Sequence, residues 1–219
     1  STIEGNITSD TTLDASKIWL LKGRVSVVDG VTLTIPAGTI IKAAAGTGAD
    51  ASTLIVARGG TIIADGTADA PIIMTSVTDN IEVGGTYPSS GPALNENVRG
   101  LWGGLLILGK APSSFSGDVS ELQIEGIPTS DTNGLYGGTD AADDSGSVQY
   151  LSIRHGGAEI GEGNEINGLT LGGVGSGTTI NHIEVVGNVD DGIEFFGGTV
   201  NATNLLVWGQ GDDAIDIDQ

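Results

Sequence analysis

The last forty residues repeat themselves. From Thr179 the chain reads TINHIEVVGNVDDGIEFFGG and then TVNATNLLVWGQGDDAIDI, and a shift of 22 positions superimposes the two stretches. Ile183 falls on Leu205, Val185 on Val207, Gly187 on Gly209, Asp190-Asp191 on Asp212-Asp213, and Ile193 on Ile215. A fixed period between about 20 and 50 residues is the mark of a stacked-repeat architecture. Apolar residues alternate within each repeat, which is the strand period and not the helical one. Short strands parted by Gly, Asn and Asp turns predict a right-handed parallel β-helix, an all-β solenoid with coils of about 22 residues. The register places Ile183, Val185, Ile193, Leu205, Val207 and Ile215 in the interior of two adjacent coils.

The pattern extends back along the chain. Residues 1–16 read as polar turn material. Between Ile18 and Lys42, short alternating strands are broken at Asp29-Gly30 and at Pro36-Ala37-Gly38. Leu54-Ile55-Val56, Ile62-Ile63, Ile72-Ile73-Met74, the segment 101–109 and the segment 148–157 continue it. No segment carries helical periodicity, so almost no helix is expected. The whole of 1–219 reads as one domain, with loop decorations at about 77–100, 111–147 and 158–168. Its 37 glycines suit corners where successive coils, about 4.8 Å apart, approach closely. With aromatic residues at 4%, the expected core is aliphatic.

Charge removes several function classes. Eight lysines and arginines face 28 acidic residues, a net charge of −20. No basic patch exists to neutralise phosphates, so nucleic acid is not an expected partner, and anionic membranes are disfavoured for the same reason. No apolar run reaches the roughly 18 residues of a membrane span, and the absence of cysteine excludes disulfides and thiolate metal sites. Low lysine with abundant Thr, Ser, Asn and Gly points to a secreted or cell-surface protein.

The paired acids are the main chemical signal. Asp190-Asp191-Gly192-Ile193 and Asp212-Asp213-Ala214-Ile215 stack at one corner of adjacent coils. In this they resemble the polygalacturonase-like glycoside hydrolases, and the resemblance implies catalytic roles for Asp191, Asp212 and Asp213, with acid and base some 6.5–9.5 Å apart for inversion. The Gly-His-Gly and Arg-Ile-Lys motifs of that family are missing. Two other readings stand beside catalysis. Corner aspartates cap backbone N–H groups in turns, or Asp190, Asp191, Asp212 and Asp213 ligate calcium, a hard cation suited to oxygen donors. Asp140, Asp143 and Asp144 form a second candidate calcium cluster.

Other candidates are weaker. His155 and His182 lack zinc-ligand spacing and read as surface or core histidines. Trp102, Trp208, Tyr87 and Tyr136 are candidates for stacking on sugars, with packing as the alternative. Asn6 and Asn201 begin N-glycosylation sequons. Thr32-Leu33-Thr34 does not recur at the coil period, which sets aside an ice-binding face.

Taken together, GNITSDTT, LTIPAGTIIK, WGGLLILGKAP, IEG, LYGGTDAADDSG, YLSIRHGG and DDGIEFFGGTVN resemble a family of secreted or lipid-anchored bacterial β-helix proteins, pectin-lyase-like in fold and of uncertain role. That resemblance implies cell-surface or extracellular placement and a non-catalytic or unassigned role, and it transfers no catalytic residues. The leading expectation is a structural or adhesive module, with a polysaccharide-active enzyme or carbohydrate-binding module as the alternative. Regular coils running to Ala214–Asp218 without a capping segment leave two expectations: a fragment of a longer protein, or a last coil that docks head-to-tail on another subunit and can propagate into a filament.

Overall fold

The structure, a computed structural model, describes residues 1–84, 94–116, 119–161 and 164–219. In chain order the strands are β1 (Thr2–Ile7), β2 (Thr11–Thr12), β3 (Ile18–Val27), β4 (Thr32–Thr34), β5 (Ile40–Ala43), β6 (Thr53–Val56), β7 (Thr61–Asp65), β8 (Ile72–Ser76) and β9 (Leu105–Leu108). They continue as β10 (Leu122–Gln123), β11 (Leu135–Tyr136), β12 (Gly146–Arg154), β13 (Glu159–Gly161), β14 (Asn164–Glu165), β15 (Leu169–Gly172), β16 (Thr179–Val186), β17 (Ile193–Phe196), β18 (Asn201–Trp208) and β19 (Ile215–Asp218). Helix is confined, among the described residues, to two single 3₁₀ turns, Gly48–Asp50 and Thr132–Gly134.

Parallel pairing winds these strands into three ladders. The first runs through the end of β3, then β6, β9, β15, β17 and β19. A second takes β2, β4, β7 and the first halves of β12, β16 and β18. The third takes the start of β3, then β5, β8 and the second halves of β12, β16 and β18. Each circuit therefore visits third, first and second ladder in turn, the arrangement of a parallel β-helix.

Inward side chains stack by type. On the first ladder Val25, Leu54, Leu105, Leu169, Ile193 and Ile215 lie directly over one another. On the third, Trp19, Ile41, Met74, Ile153, Val185 and Val207 do the same. The 22-residue register holds in the pairs Ile183↔Leu205, Val185↔Val207 and Ile193↔Ile215. Ile183, Val185 and Ile193 are buried, and each such side chain contributes roughly 1.5–3 kcal/mol. Leu205 and Val207 are only half-buried against the core, and Ile215 is 46% exposed. They face inward as the register requires, but no strand among the described residues lies over them.

Between the second and third ladders β12, β16 and β18 bend without breaking. The bend falls on Tyr150, Asn204 and His182, all with positive φ (48°, 56° and 53°). A left-handed non-glycine residue costs about 1–2 kcal/mol. Stacking of the Tyr150 ring on His182, 4.2 Å apart and 13° from parallel, offsets part of it. Asn204 Nδ2 donates to Asn181 Oδ1 at 2.8 Å.

Three expectations need correction. Residues 1–16 are not turn material alone: β1 pairs β3 and β2 pairs β4, burying Ile3, Ile7 and Leu13. The core is not purely aliphatic, since Trp102 is fully buried in it and donates its indole N–H to the Arg154 carbonyl at 2.7 Å. Tyr136 is buried as well, edge-on to Phe115 and Phe196, so neither ring is free to stack on a sugar. Trp208 is 46% exposed, and Tyr87 lies outside the described residues.

The decorations enter at two corners. Segments 44–52, 77–104 and 155–168 join the third ladder to the first, and 109–145 joins the first to the second. The last folds back over the outer face of the first ladder. Ile124, Ile127 and Tyr136 cover Ile55, Leu106, Leu108 and Phe196 as a second apolar cluster.

Candidate acidic site on the first ladder

The corner leading into the first ladder stacks Asn167, Asp191 and Asp213, two residues before the paired Leu169, Ile193 and Ile215. Backbone bonds hold the stack: Gly168 N–H to Asp191 O at 3.1 Å and Gly192 N–H to Asp213 O at 2.9 Å. Gly192 is required by closeness, because a Cβ there would meet the Val207 side chain and the Ala214 carbonyl. Buried Asn188 ties the corner from beneath, its Nδ2 donating to Ile166 O (3.1 Å) and Asp191 O (2.8 Å).

Asp191 accepts the Asp213 N–H at 2.8 Å, so one carboxylate oxygen caps the next coil's turn. It is only 7% exposed. Burial raises its pKa above the ordinary carboxylate range, the Asp213 N–H pulls it back, and Asp216, Asp212 and Asp213 push it up again. Carboxylate oxygens of Asp190, Asp191 and Asp212 lie within 4.8 Å of one another, and so do those of Asp191, Glu194 and Asp216. Asp213 joins neither group and is exposed.

Glu194 and Asp216 occupy the outer face of the first ladder, in register with each other and with Thr170. Glu194 is 7% exposed and takes a hydrogen bond from Asn167 Nδ2. Its pKa is pushed up to about 8, first by burial and then by Glu125 of the inserted segment, with the Asn167 bond opposing. The sequence reading did not pick out Glu194, Asp216 or Asn167. A usable signal was present: Asn167-Gly-Leu-Thr-Leu aligns with Asp191-Gly-Ile-Glu-Phe at a shift of 24, not 22.

The second cluster of aspartates is arranged differently. Asp140 accepts the Ala142 N–H (3.0 Å), Asp144 the Gly146 N–H (2.8 Å), and buried Asp143 the Ser145 hydroxyl (3.4 Å). Each carboxylate serves its own turn, and among the described residues the three do not converge. Both histidines are packed: His155 is buried with Nδ1 at 2.7 Å from Val98 O, and His182 stacks on Tyr150. Asn6 and Asn201 are exposed on strands.

An open cleft of about 530 Å³ lies where the first ladder turns into the second, lined by Asp29, Arg58, Lys110, Asn133 and Asp140 among others. The Arg58 guanidinium is fixed by Gly137 O (2.9 Å) and Glu121 (2.5 Å), and Lys110 stands 3.6 Å from Asp29. No helix among the described residues is long and apolar enough to cross a membrane.

No curated protein and no solved structure matches the chain. The model of the pectate-lyase-like β-helix domain matches residues 5–219, and with the coil geometry above this places the chain in that family, at family level a carbohydrate-related or surface module.

Proposed function

We propose that the chain is an extracellular structural or adhesive β-helix module and not a polysaccharide hydrolase. One observation carries this reading: Asp191, the central acid of the corner, serves the coil itself. Asp191 caps the Asp213 turn, and a carboxylate oxygen of Asp191 lies within 4.8 Å of those of Asp190 and Asp212 and of those of Glu194 and Asp216. The alternative of a polysaccharide-active enzyme is tested by a reducing-end assay on pectic and other acidic polysaccharides. No turnover is expected. Turnover abolished by Asp191→Asn or Asp213→Asn overturns the module reading.

Adhesion to a glycan finds its best location in the cleft beside Arg58 and Lys110. There, fixed donors and carboxylate acceptors stand together as vicinal hydroxyls require, in a volume within the usual range for small ligands. Calorimetry against neutral oligosaccharides, with Lys110→Ala as the control, decides this point. End-to-end association is the companion reading, supported by the exposed apolar residues of the last coil: Leu206 (56%), Trp208 (46%), Ile215 (46%) and Ile217 (77%). Sedimentation over a range of concentrations, with electron microscopy, distinguishes monomers from head-to-tail stacks.

A further inference from the structure

We infer that the outer face of the second ladder binds a neutral polysaccharide chain through a flat array of hydroxyl and amide groups. The inference rests on the adhesive-module reading above and supplies its ligand class and the surface that holds it.

The array follows from the strand period. Leu33, Ile62, Ala64, Val148 and Ile180 of this ladder are buried inward, so the residues between them face out. One outward column, paired strand by strand, runs Thr12, Thr34, Ile63, Ser147, Thr179, Asn201. A second runs Asp65, Gln149, Asn181, Thr203, and Thr32 pairs with Thr61 beside them. None of these residues is buried, so no inserted segment closes over them. Neighbouring groups stand about 4.8 Å apart across coils and roughly 6.6 Å apart along a strand.

Charge sets this face apart. The chain has a net charge of −20, and an ordinary surface is about a quarter to a third charged. The third ladder obeys that rule, with Lys42, Arg154 and Glu184 next to the inward Ile41, Ile153 and Val185. The second-ladder columns hold one charged residue, Asp65, and its Oδ1 is engaged by the Ser147 hydroxyl and by Gln149 Nε2 at 3.0 Å. Asp10, at the rim, accepts the Thr32 N–H at 2.9 Å. Thr203 Oγ1 donates across coils to Asn181 Oδ1 at 2.9 Å. These bonds, with threonines stiff at χ1, hold the groups in place. A ligand laid on them immobilises few free rotamers, where lysine or glutamate would lose more.

Complementarity selects the occupant. Protein partners are held by aromatic and apolar anchors, and Ile63 is the only apolar member of these columns. A polyanion is repelled by the net charge, and a cationic ligand is drawn to the acidic corner instead. What fits is an uncharged polymer with hydroxyls at regular intervals, each able to donate and accept. At the bend into the third ladder the half-buried Tyr150–His182 stack borders the face, an aromatic edge for the apolar side of a sugar ring. The opposite border is the turn that holds the cleft beside Arg58 and Lys110, so one polymer chain reaches both.

The test co-sediments the full chain with insoluble cellulose and chitin, and with polygalacturonate on beads. Retention on a neutral polymer that persists at high salt, and none on polygalacturonate, is expected. Thr34→Glu and Thr179→Glu should each weaken retention at least ten-fold, while Thr179→Ser keeps the hydroxyl and retains binding. Circular dichroism confirms that these surface variants fold. Lys22→Glu adds negative charge on the third ladder and should leave retention within about two-fold. No retention on either neutral polymer overturns the inference. So does association of the chain with itself, seen by sedimentation and lost in Thr179→Glu, which makes the face an interface between copies. Retention lost in Lys110→Ala but unchanged in both glutamate variants confines the ligand to the cleft; the inference then falls and the module reading stands. Turnover of the polymer in the reducing-end assay overturns the module reading itself.

Discussion

Ile193 and Ile215 occupy the same place in successive coils, yet their removal should cost very different amounts. Ile193 is fully buried, with Leu169 on one side in the ladder and Ile215 on the other. Truncating such a residue to alanine costs about 2–5 kcal/mol, transfer and cavity together. Ile215 has a ladder partner on one side only and is 46% exposed, so Ile215→Ala should cost about half as much or less, roughly 1–2 kcal/mol. For a chain of this size each kcal/mol moves Tm by about 2–4 °C. That gives a loss of roughly 7–14 °C for Ile193→Ala and roughly 3–6 °C for Ile215→Ala, each at the middle of its range. Calorimetric melts at low micromolar concentration measure both. Equal losses in dilute solution would refute the reasoning, because they require Ile215 to be covered. Head-to-tail stacking adds a second signature: the cost of Ile215→Ala then grows with protein concentration, while that of Ile193→Ala does not.

Stability should fall as pH rises. Glu194 has a folded pKa near 8 against an ordinary value near 4.5, so above pH 4.5 the folded state binds more protons than the unfolded one. Its contribution is full below the unfolded pKa and is lost as pH climbs through the folded one; Asp191 shifts in the same direction. Melts in chelator at pH 5 and pH 8 should show the lower Tm at pH 8, and Glu194→Gln should flatten most of the slope; an unchanged slope in that variant refutes the assignment. Trp102→Ala removes a fully buried indole and leaves the Arg154 carbonyl without its 2.7 Å donor. A loss of about 3–5 kcal/mol is expected in denaturant titration, and a cost under 1 kcal/mol would remove Trp102 from the core.

The coils were legible where their length is constant. From β16 onward each circuit takes 22 residues, so one shift aligns corner, ladder and turn together. The first coil hid itself by a different route. In β1 the pairing with β3 slips between Glu4 and Asn6, around Gly5 with φ of 65°. The extra residues of that slip lie on β3, and in β1 only Gly5 stands at the alternate position between Ile3 and Ile7, so the stretch looks polar. Asn167 escaped for a related reason. The circuit from Leu169 to Ile193 is longer than the next by two residues, in the turn 173–178 against 197–200, and a fixed shift of 22 steps past Asn167.

Burial of the acids was not legible, because it is made by residues distant in sequence. Follow one outward column of the first ladder, paired residue by residue: Ser26, Ile55, Leu106, Thr170, Glu194, Asp216. Where the 109–145 segment lies over the column the residues are apolar, Ile55 and Leu106 packing against Ile124 and Ile127. Where that cover ends, at Asp216, the residue is a half-buried acid, as a solvated wall requires. Glu194 breaks the gradation. It lies beneath the edge of the cover, 7% exposed, with Glu125 of the same segment close enough to raise its pKa. Ser26 and Thr170, buried in the same column, are neutral polar residues, so a carboxyl group under cover is what sets Glu194 apart. That cover comes from a segment distant in sequence, which is why the 22-residue repeat alone does not pick Glu194 out.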